Sequence, residues 1–416
     1  MVSYRLALAP DIQNRTVAGR ERITLRATMD GVQRLNFSAN ALAIETATLD
    51  GVALAHIVEG DVLGFDLPRP LRRGQTVKLE LSYHGRPTRG FAGSATTLYT
   101  NYFACDWMVC SQNKFGEKAA FSVDLRVPTG MTSLSVGSMI ARRPRPDGTE
   151  IHSWKAPRPY SAYLYGFAIG QFTRVKERAG SKTLIYLSDA ADTGELKRRF
   201  AGTSEAVAFL SAKAGVPLPV ADYSQLLVGG DEAQEAATYS VLGTDALPTT
   251  VDDSSEDWAI VHELTHQWWG NLITCETLRD FWLNEGITTF MTAAWKEHRY
   301  GRVAYEAELN VARSRLEKAW AKGFDKPLAW DGTYPTLGIR RAIQYSKGAL
   351  FMAQLRTTLG DVAFWSGLRR YTRDHAGGTV TSIDLERAME ASSGQDLHSL
   401  FAEWVFGDGL LDRHRE

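Results

Sequence analysis

The 416-residue sequence lacks several features that would assign it to a specialised class. Its formal net charge of -1 gives no reason to expect nucleic acid or an anionic membrane as a partner. No apolar run approaches the roughly 20 residues that span a bilayer. The first ten residues do not combine a basic region with an unbroken apolar run, so they do not resemble a signal peptide. These absences favour a cytoplasmic protein.

Cysteine is also scarce. The three cysteines, Cys105, Cys110 and Cys275, are an odd number and stand at no zinc-ligand spacing. We therefore expect reduced thiols in the protein core, which fits a cytoplasmic location.

The pattern of apolar residues divides the chain into two parts. Segments such as 21–27 and 77–83 alternate apolar and polar residues, with turn signals between them, whereas helical spacing begins near residue 194. A chain of this length exceeds what one hydrophobic core usually organises. We expect an α+β multidomain protein: residues 1–175 form an antiparallel, saddle-like β-sheet domain, and residues 176–416 form a mostly helical domain. The apolar segment 163–170 is expected to be buried on both faces.

Helices are predicted over residues 195–214, 283–300, 302–320, 345–359, 363–374, 382–391 and 396–405. Another helix is predicted from a capping-box signature, Ser254 followed by Asp257, ahead of the apolar residues 258–261. This helix would end near Gly270 and would hold His262 about two turns from its start.

That helix carries a His-Glu-x-x-His pattern from His262 to His266. Residues at i and i+4 of a helix lie on the same face, so both imidazoles can bind one ion. Glu285 follows in the first turn of the next long helix. Two imidazoles, one carboxylate and an open fourth position are typical of a catalytic zinc site, whereas structural sites are closed. The alternative is an ordinary helix face on which Glu263 and Glu285 are solvated carboxylates.

Zinc held by His262, His266 and Glu285 would lower the pKa of a bound water far below that of free water, toward about 7. Glu263, next to the first histidine, points away from the histidine face of the helix. We expect it to act as the general base that accepts a proton from this water and passes it to a leaving amine. The negative charge that builds on the carbonyl oxygen needs a further hydrogen-bond donor.

The segments 262–274 and 280–286 resemble the aminopeptidase N and leukotriene hydrolase family of gluzincin zinc metallopeptidases, in a short two-domain form. Tyr345-Ser346-Lys347-Gly348 resembles the Tyr-x-Lys-Gly segment of that family. The resemblance implies a thermolysin-like catalytic domain in residues 176–416 and a role for Tyr345 as the donor to the oxyanion. Lys347 is expected to have a structural role. Family members often continue into a long helical domain, and we expect none here.

The resemblance also suggests residues that bind the substrate. The family carries a Gly-x-Met-Glu-Asn type segment whose glutamate binds the free α-amine. Glu235 is the positional match, Glu232 is the alternative under a shifted alignment, and Asn101 corresponds to an amine-contacting glutamine. Glu232 stands where glycine is usual and Gln234 where methionine is usual. These departures concern the preference for N-terminal residues, not hydrolysis itself.

The resulting hypothesis is a zinc-dependent aminopeptidase that hydrolyses N-terminal residues from peptides. Two alternatives stay open at this point. One is a specialised peptidase or endopeptidase that acts on unusual peptides. The other is a non-peptidase zinc hydrolase of the epoxide type, or an inactive scaffold that keeps the metal. The expected partner is a peptide substrate, with no nucleic acid and no membrane, and the pattern predicts neither the oligomeric state nor the side-chain specificity.

Overall fold

The computed structural model describes residues 1–112, 114–247, 250, 253 and 255–407. The chain divides into two compact units, and both are assembled from separate segments. The first unit contains Met1–Lys176, Leu184–Leu196 and Asp222–Ala246. The second contains Glu177–Thr183, Lys197–Ala221 and the chain from Leu247 onward. The predicted domain boundary between residues 175 and 176 stays a prediction.

The first 170 residues are rich in β-strands, joined by turns and by two short 3-10 helices at Ala104–Asp106 and Ala162–Leu164. The strands in chain order are β1 (Ser3–Asp11), β2 (Thr16–Arg26), β3 (Val32–Ser38), β4 (Leu42–Leu49), β5 (Val52–Ala53), β6 (His56–Glu59), β7 (Val62–Leu71), β8 (Thr76–Gly85), β9 (Phe91–Gly93), β10 (Thr97–Thr100), β11 (Lys118–Pro128), β12 (Thr132–Ser135), β13 (Ser138–Pro144), β14 (Thr149–Lys155), β15 (Tyr160–Ser161) and β16 (Phe167–Gly170).

The largest sheet has nine strands in the order β13-β14-β11-β1-β2-β8-β4-β5, with β15 paired to β11. Strands β1 and β11 run parallel, whereas β2 is antiparallel to both β1 and β8. Alternate residues of β2 and β8 are buried, because side chains of a strand point to opposite faces in turn. The predicted N-terminal β-sheet unit is therefore confirmed.

Two smaller sheets complete this region, with the strand orders β12-β16-β10-β9 and β3-β7-β6. Strand β16 pairs on both sides, with β10 and with β12. Every residue of the segment 163–170 is buried, as its apolar composition predicted.

The cysteine prediction is wrong for two of the three residues. Cys105 and Cys110 form a disulfide, and only Cys275 is a free, buried thiol. The 3-10 helix Ala104–Asp106 turns the chain back on itself, which brings the two Cα atoms to 5.0 Å, within the usual range for a disulfide. Spacing along the sequence does not reveal such a turn.

A five-stranded sheet follows, with the order β17-β18-β19-β21-β20. Its strands are β17 (Thr173–Ala179), β18 (Lys182–Ser188), β19 (Asp222–Val228), β20 (Ala233–Ala236) and β21 (Tyr239–Gly243). Strands β19 and β21 run parallel, while β20 pairs antiparallel with β21 and lies at the edge of the sheet.

The later part of the chain is mainly helical. Its helices are α1 (Thr193–Arg199), α2 (Thr203–Ala214), α3 (Trp258–Thr265), α4 (Trp282–Tyr300), α5 (Arg302–Trp320), α6 (Leu337–Arg340), α7 (Gly348–Asp374), α8 (Ser382–Ser393) and α9 (His398–Phe401). Further elements are a 3-10 helix at Leu278–Asp280, π-helical segments at Arg341–Lys347 and Ala402–Phe406, and the paired strands β22 (Thr274–Cys275) and β23 (Thr379–Val380).

The helix predictions at 283–300 and 302–320 are confirmed by α4 and α5. Two glycines with positive φ interrupt the other long helices, since this conformation does not continue a right-handed helix. Gly202 (φ 94°) divides the predicted helix 195–214 into α1 and α2, and Gly360 (φ 72°) lies within α7 between the two helices predicted there. None of the described helices is long and apolar enough to cross a membrane.

Candidate metal centre and active site

Helix α3 carries the two histidines of the His-Glu-x-x-His pattern. It begins at Trp258, so His262 lies about one turn inside the helix and not two as predicted. Asp257 is the N-cap residue but its side chain makes no capping bond, and Ser254 lies outside the described residues. His266 follows the last helical residue and keeps a helical backbone (φ -57°, ψ -21°). The i, i+4 relation of the two imidazoles is therefore preserved.

The three predicted metal ligands lie together and are buried. The Oε2 atom of Glu285 is 3.4 Å from Nε2 of His262 and 3.4 Å from Nε2 of His266. Bonds of about 2.1 Å from one zinc ion at the tetrahedral angle would separate neighbouring ligand atoms by about 3.4 Å. The donor set and its spacing therefore fit a zinc ion with His262, His266 and Glu285 as ligands.

The electrostatic state of these side chains also suits metal binding. Burial lowers the pKa of His262, and the neighbouring His266 and Arg341 lower it further, although Glu285 acts in the opposite direction. Burial alone would raise the pKa of Glu285, but the two histidines outweigh it and hold the pKa below its ordinary value. Neutral imidazole and ionised carboxylate are the forms that coordinate a metal.

The imidazole ring of His266 is oriented by a hydrogen bond from Nδ1, the ring nitrogen that does not face Glu285. Nδ1 of His266 donates to the carbonyl oxygen of Trp269 at 3.0 Å. A proton held on Nδ1 leaves the lone pair of Nε2 for a metal, and this backbone contact also fixes the plane of the ring. The chain turns sharply just after α3, and that turn supplies the carbonyl.

Glu285 is held by the first turn of α4 and by close packing of that helix on α7. The Oδ1 atom of Asn284 accepts from the amide of Cys275 at 3.0 Å. On its other side, Gly286 packs against Gly348: a Cβ atom built on Gly286 would lie 2.7 Å from Cα of Gly348. The glycines of the Asn-Glu-Gly and Tyr-x-Lys-Gly segments therefore contact each other, which requires that both lack a side chain.

Tyr345 lies in the π-helical segment Arg341–Lys347, immediately before α7. The sequence predicted an ordinary helix that begins at this residue, so the π-helical turn is a correction. The ring of Tyr345 is nearly parallel to that of His262, with 6.1 Å between centroids and 5° between planes. The structure thus brings Tyr345 beside the metal ligands. Single π-helical turns are common at functional sites.

Lys347 holds this segment from within the core, as predicted. Its side chain is fully buried, and Nζ donates to Oδ1 of Asp325 at 2.9 Å and to the carbonyl of Lys326 at 2.6 Å. Gln344 adds two contacts, accepting from Nε of Arg340 at 2.7 Å and donating to the carbonyl of Leu278 at 3.3 Å. The backbone on both sides of Tyr345 is therefore anchored.

Glu263, the predicted general base, follows His262 directly on α3 and is buried. A carboxylate oxygen of Glu263 lies within 4.8 Å of a ring nitrogen of His266. Burial of this kind strengthens the interactions of a charged group, because the effective dielectric constant is low.

The predicted substrate-binding residues lie in the first unit. Glu235 is a buried residue of β20, opposite Ser240 of β21. Nδ2 of Asn101 donates to Oε1 of Glu232 at 2.6 Å, just before that strand. Burial raises the pKa of Glu232 and Asp231 raises it further, while the bond from Asn101 acts against them. The structure pairs Asn101 with Glu232; Glu235 lies on the strand that follows.

The site lies in a region that is similar to known proteins. Residues 229–404 match the model of the peptidase family M1 domain. This match contains both the ligand set and the segment around Tyr345. This region of the chain is similar to peptidase family M1. The predicted resemblance is confirmed.

Among relatives, the chain is 24% identical over 447 residues to "Aminopeptidase 2, mitochondrial" of Saccharomyces cerevisiae, covering 97% of the chain and 45% of that protein. It is 26% identical over 317 residues to "Aminopeptidase N" of Streptomyces lividans, covering 70% of the chain and 36% of that protein. The chain therefore spans less than half the length of these relatives.

A solved structure supports the fold assignment over the whole length. A mutant of the M1 zinc metallopeptidase from Deinococcus radiodurans, bound to a Tyr-Ser-Ala substrate, matches with a TM-score of 0.82 and 22% sequence identity. The match covers 98% of this chain and 94% of the other. The predicted α+β class, with an N-terminal β-sheet domain followed by a mostly helical domain, is confirmed.

Several residues that build the site were not identified from the sequence. The carbonyl of Trp269, the buried partner Asp325 and the contact of Gly286 with Gly348 all depend on tertiary contacts. Of these three features, only the glycine pair is marked in the sequence, because Gly286 and Gly348 are the last residues of the Asn-Glu-Gly and Tyr-x-Lys-Gly segments.

Proposed function

We propose that this protein belongs to peptidase family M1 and is a zinc-dependent aminopeptidase that removes N-terminal residues from peptides. The observation that carries the proposal is the buried cluster in which one Glu285 oxygen lies 3.4 Å from both His262 and His266. Its spacing suits the N₂O donor set of a catalytic zinc site with one position open. The relatives named aminopeptidases support the reaction class.

Each residue has one task in this proposal. His262, His266 and Glu285 hold the zinc ion, which when bound supplies Lewis acidity to a water molecule and to the scissile carbonyl. Glu263 accepts the proton of the attacking water at its carboxylate and delivers it to the leaving amine. Tyr345, beside His262, donates a hydrogen bond from its hydroxyl group to the oxygen on which negative charge develops.

The α-amine of the substrate needs a carboxylate, because an ammonium group that leaves water is stabilised by an ionised, hydrogen-bonded partner. We propose Glu235 for this role, since it is a buried carboxylate on the edge strand β20. Glu232 is less buried than Glu235 and is the alternative candidate; it accepts a hydrogen bond from Asn101. Within this proposal, Asn101 orients Glu232 and does not itself bind the amine.

The first experiment tests the metal and the substrate class together. Purified protein would be offered aminoacyl chromogenic amides and the same compounds with acetylated N-termini, with zinc, with a chelator and after zinc is restored. We expect hydrolysis of the free-amine substrates only, loss of activity with the chelator and recovery with zinc. Equal or better hydrolysis of the acetylated compounds would contradict the proposal.

A second experiment tests the assigned roles. Glu263→Gln should keep the bound zinc but lose turnover by at least about 10²-fold, because the amide is not a proton acceptor of comparable strength. Glu256→Gln, an exposed glutamate before the same helix, is the matched control and should be unaffected. Glu235→Ala should raise KM for free-amine substrates more than Glu232→Ala does. A larger increase for Glu232→Ala would show that Glu232, and not Glu235, binds the amine.

The cytoplasmic location stays a prediction. It rested partly on reduced cysteines, and the Cys105–Cys110 disulfide removes that support, since such bonds are rare in reducing compartments. Cell fractionation with an antibody to this chain would test it, and recovery outside the cytoplasm would show that it is wrong.

A further inference from the structure

Tyr102 makes two hydrogen bonds to a single residue of the edge strand β20. Its hydroxyl donates to the carbonyl oxygen of Ala233 at 2.6 Å and accepts from the amide nitrogen of Ala233 at 3.2 Å. Both distances lie within the normal range of hydrogen bonds. One side-chain oxygen thus pairs with both backbone groups of Ala233.

The register of β20 explains why these groups are accessible to Tyr102. The amide of Gly243 donates to the carbonyl of Glu232, and Ala233 stands opposite Leu242. Residues of an antiparallel pair alternate between bonding the partner strand and facing away from it, so Ala233 directs its N–H and C=O away from β21. Edge strands present such groups to the outside. Tyr102 occupies the place that a further strand would take at Ala233.

The backbone of Tyr102 is itself held in an unfavourable conformation. Its φ of 46° is in the left-handed region, which residues other than glycine seldom adopt. Nε2 of Gln112 donates to the carbonyl of Tyr102 at 3.0 Å, and Oε1 of Gln112 accepts from the amide of Cys105 at 3.3 Å. The disulfide between Cys105 and Cys110 closes the loop just before Gln112. These contacts keep Tyr102 directed at β20.

The preceding residue acts on the same segment. Asn101 binds the side chain of Glu232, and Tyr102 binds the backbone of Ala233. Two consecutive residues of one loop therefore hold two consecutive residues at the start of β20. Glu235 follows two positions after Ala233 and shares its face of the strand, because side chains alternate along an extended chain.

We propose that Tyr102 is a positioning residue that fixes β20 and so presents Glu235 to the amine of the substrate. Tyr102 takes part in no chemical step. The inference rests on the proposed aminopeptidase function and on the role of Glu235 as the amine ligand. It predicts that affinity for a free amine depends on a hydroxyl group that hydrogen-bonds the backbone of the strand.

The test uses two variants of Tyr102 and one control, each in the 416-residue chain loaded with zinc. Tyr102→Phe removes the hydroxyl and keeps the ring beside Phe103. Tyr102→Asn also lacks a hydroxyl at that distance, but asparagine tolerates a positive φ. Tyr334→Phe is the control, because the Tyr334 hydroxyl is buried without a hydrogen-bond partner among the described residues.

Both Tyr102 variants should raise KM for free-amine substrates about 5- to 10-fold, with kcat within about 2-fold of wild type, as expected for the loss of ordinary hydrogen bonds. The control should leave both constants unchanged. Hydrogen–deuterium exchange measured by NMR at the Ala233 amide should become faster in both Tyr102 variants and stay the same in the control. This readout does not depend on activity.

The outcomes separate this inference from the proposed function. If wild-type protein fails to hydrolyse free-amine peptides, the proposed function is wrong, whereas exchange at Ala233 still shows whether Tyr102 holds the strand. If wild type is active and both variants keep the wild-type KM, the positioning role is wrong. A fall in kcat at unchanged KM would equally overturn it, because an amine-positioning residue acts on binding.

Discussion

Replacing Gly348 by alanine tests how the two motif segments set the geometry of the metal centre. A Cβ atom on Gly348 would lie 2.8 Å from Cα of Gly286, whereas ordinary contact begins at 3.4 Å. The neighbour is backbone, so it cannot rotate away as a side chain would. The helices α4 and α7 would have to separate locally by about 0.6 Å or more, a gap that follows from these two distances.

The expected loss is larger for activity than for stability. Overpacking of this kind costs about 1–3 kcal/mol, but alanine is about 1 kcal/mol more favourable than glycine in a helix, so we expect a net loss of about 0–2 kcal/mol. Glu285 precedes Gly286 on α4, and Tyr345 precedes Gly348. A displacement between them of about 1 Å can cost on the order of 10²-fold in rate. We expect kcat to fall by about 10- to 100-fold.

The assay would measure kcat and KM with a free-amine substrate, zinc content, and unfolding by urea. Gly338→Ala is the matched control, because a Cβ atom there meets only Oγ1 of Thr336, at 3.8 Å. A Gly348→Ala enzyme with wild-type kcat and wild-type stability would refute the argument. A large loss of stability together with wild-type kcat in the remaining folded enzyme would refute it as well.

Three further predictions concern the stability of the two units. Lys347→Met should lower the free energy of unfolding in urea by about 3–5 kcal/mol, because it leaves the buried carboxylate of Asp325 without its cation; a loss below about 1 kcal/mol would contradict this. Burial raises the pKa of Glu21 from 4.5 to about 8. Between these two pH values the Glu21 carboxyl group keeps its proton in the folded chain but is ionised in the unfolded chain. Stability should therefore fall as the pH rises between about 4.5 and 8, and Glu21→Gln should flatten this slope in urea titrations at several pH values; an unchanged slope would show that another group is responsible. Reduction of Cys105–Cys110 should cost about 2 kcal/mol, the value expected for so short a loop, and thermal unfolding with and without reductant would measure it; an equal midpoint in both would show that the bond does not stabilise the fold.

Sequence patterns predict the structure correctly where residues close together in the chain determine it. The i, i+4 spacing placed His262 and His266 on one face, and it holds although α3 is shorter than predicted and ends before His266. The alternation in β2 and β8 likewise predicted which residues are buried. Such periodicities survive because they arise from backbone geometry within one element.

The ends and breaks of the elements depart further from what the sequence predicts. The π-helical turn that carries Tyr345 has no distinctive composition, since it only replaces the backbone hydrogen bonds of an α-helix by those of a π-helix. The interruption at Gly202 needed a positive φ that a glycine permits but does not require. In both cases tertiary packing chooses between conformations that the sequence allows.

By itself, the sequence determined the chemistry available to this protein: two histidines at helical spacing, a neighbouring carboxylate, and later segments that supply Glu285 and Tyr345. Tertiary structure alone decided how these groups meet. It brought Glu285 to 3.4 Å from both imidazoles, packed Gly286 on Gly348, and joined Asn101 and Tyr102 to residues 232 and 233. Contacts between residues far apart in the chain depend on how whole elements pack, and short-range periodicity carries no information about that packing.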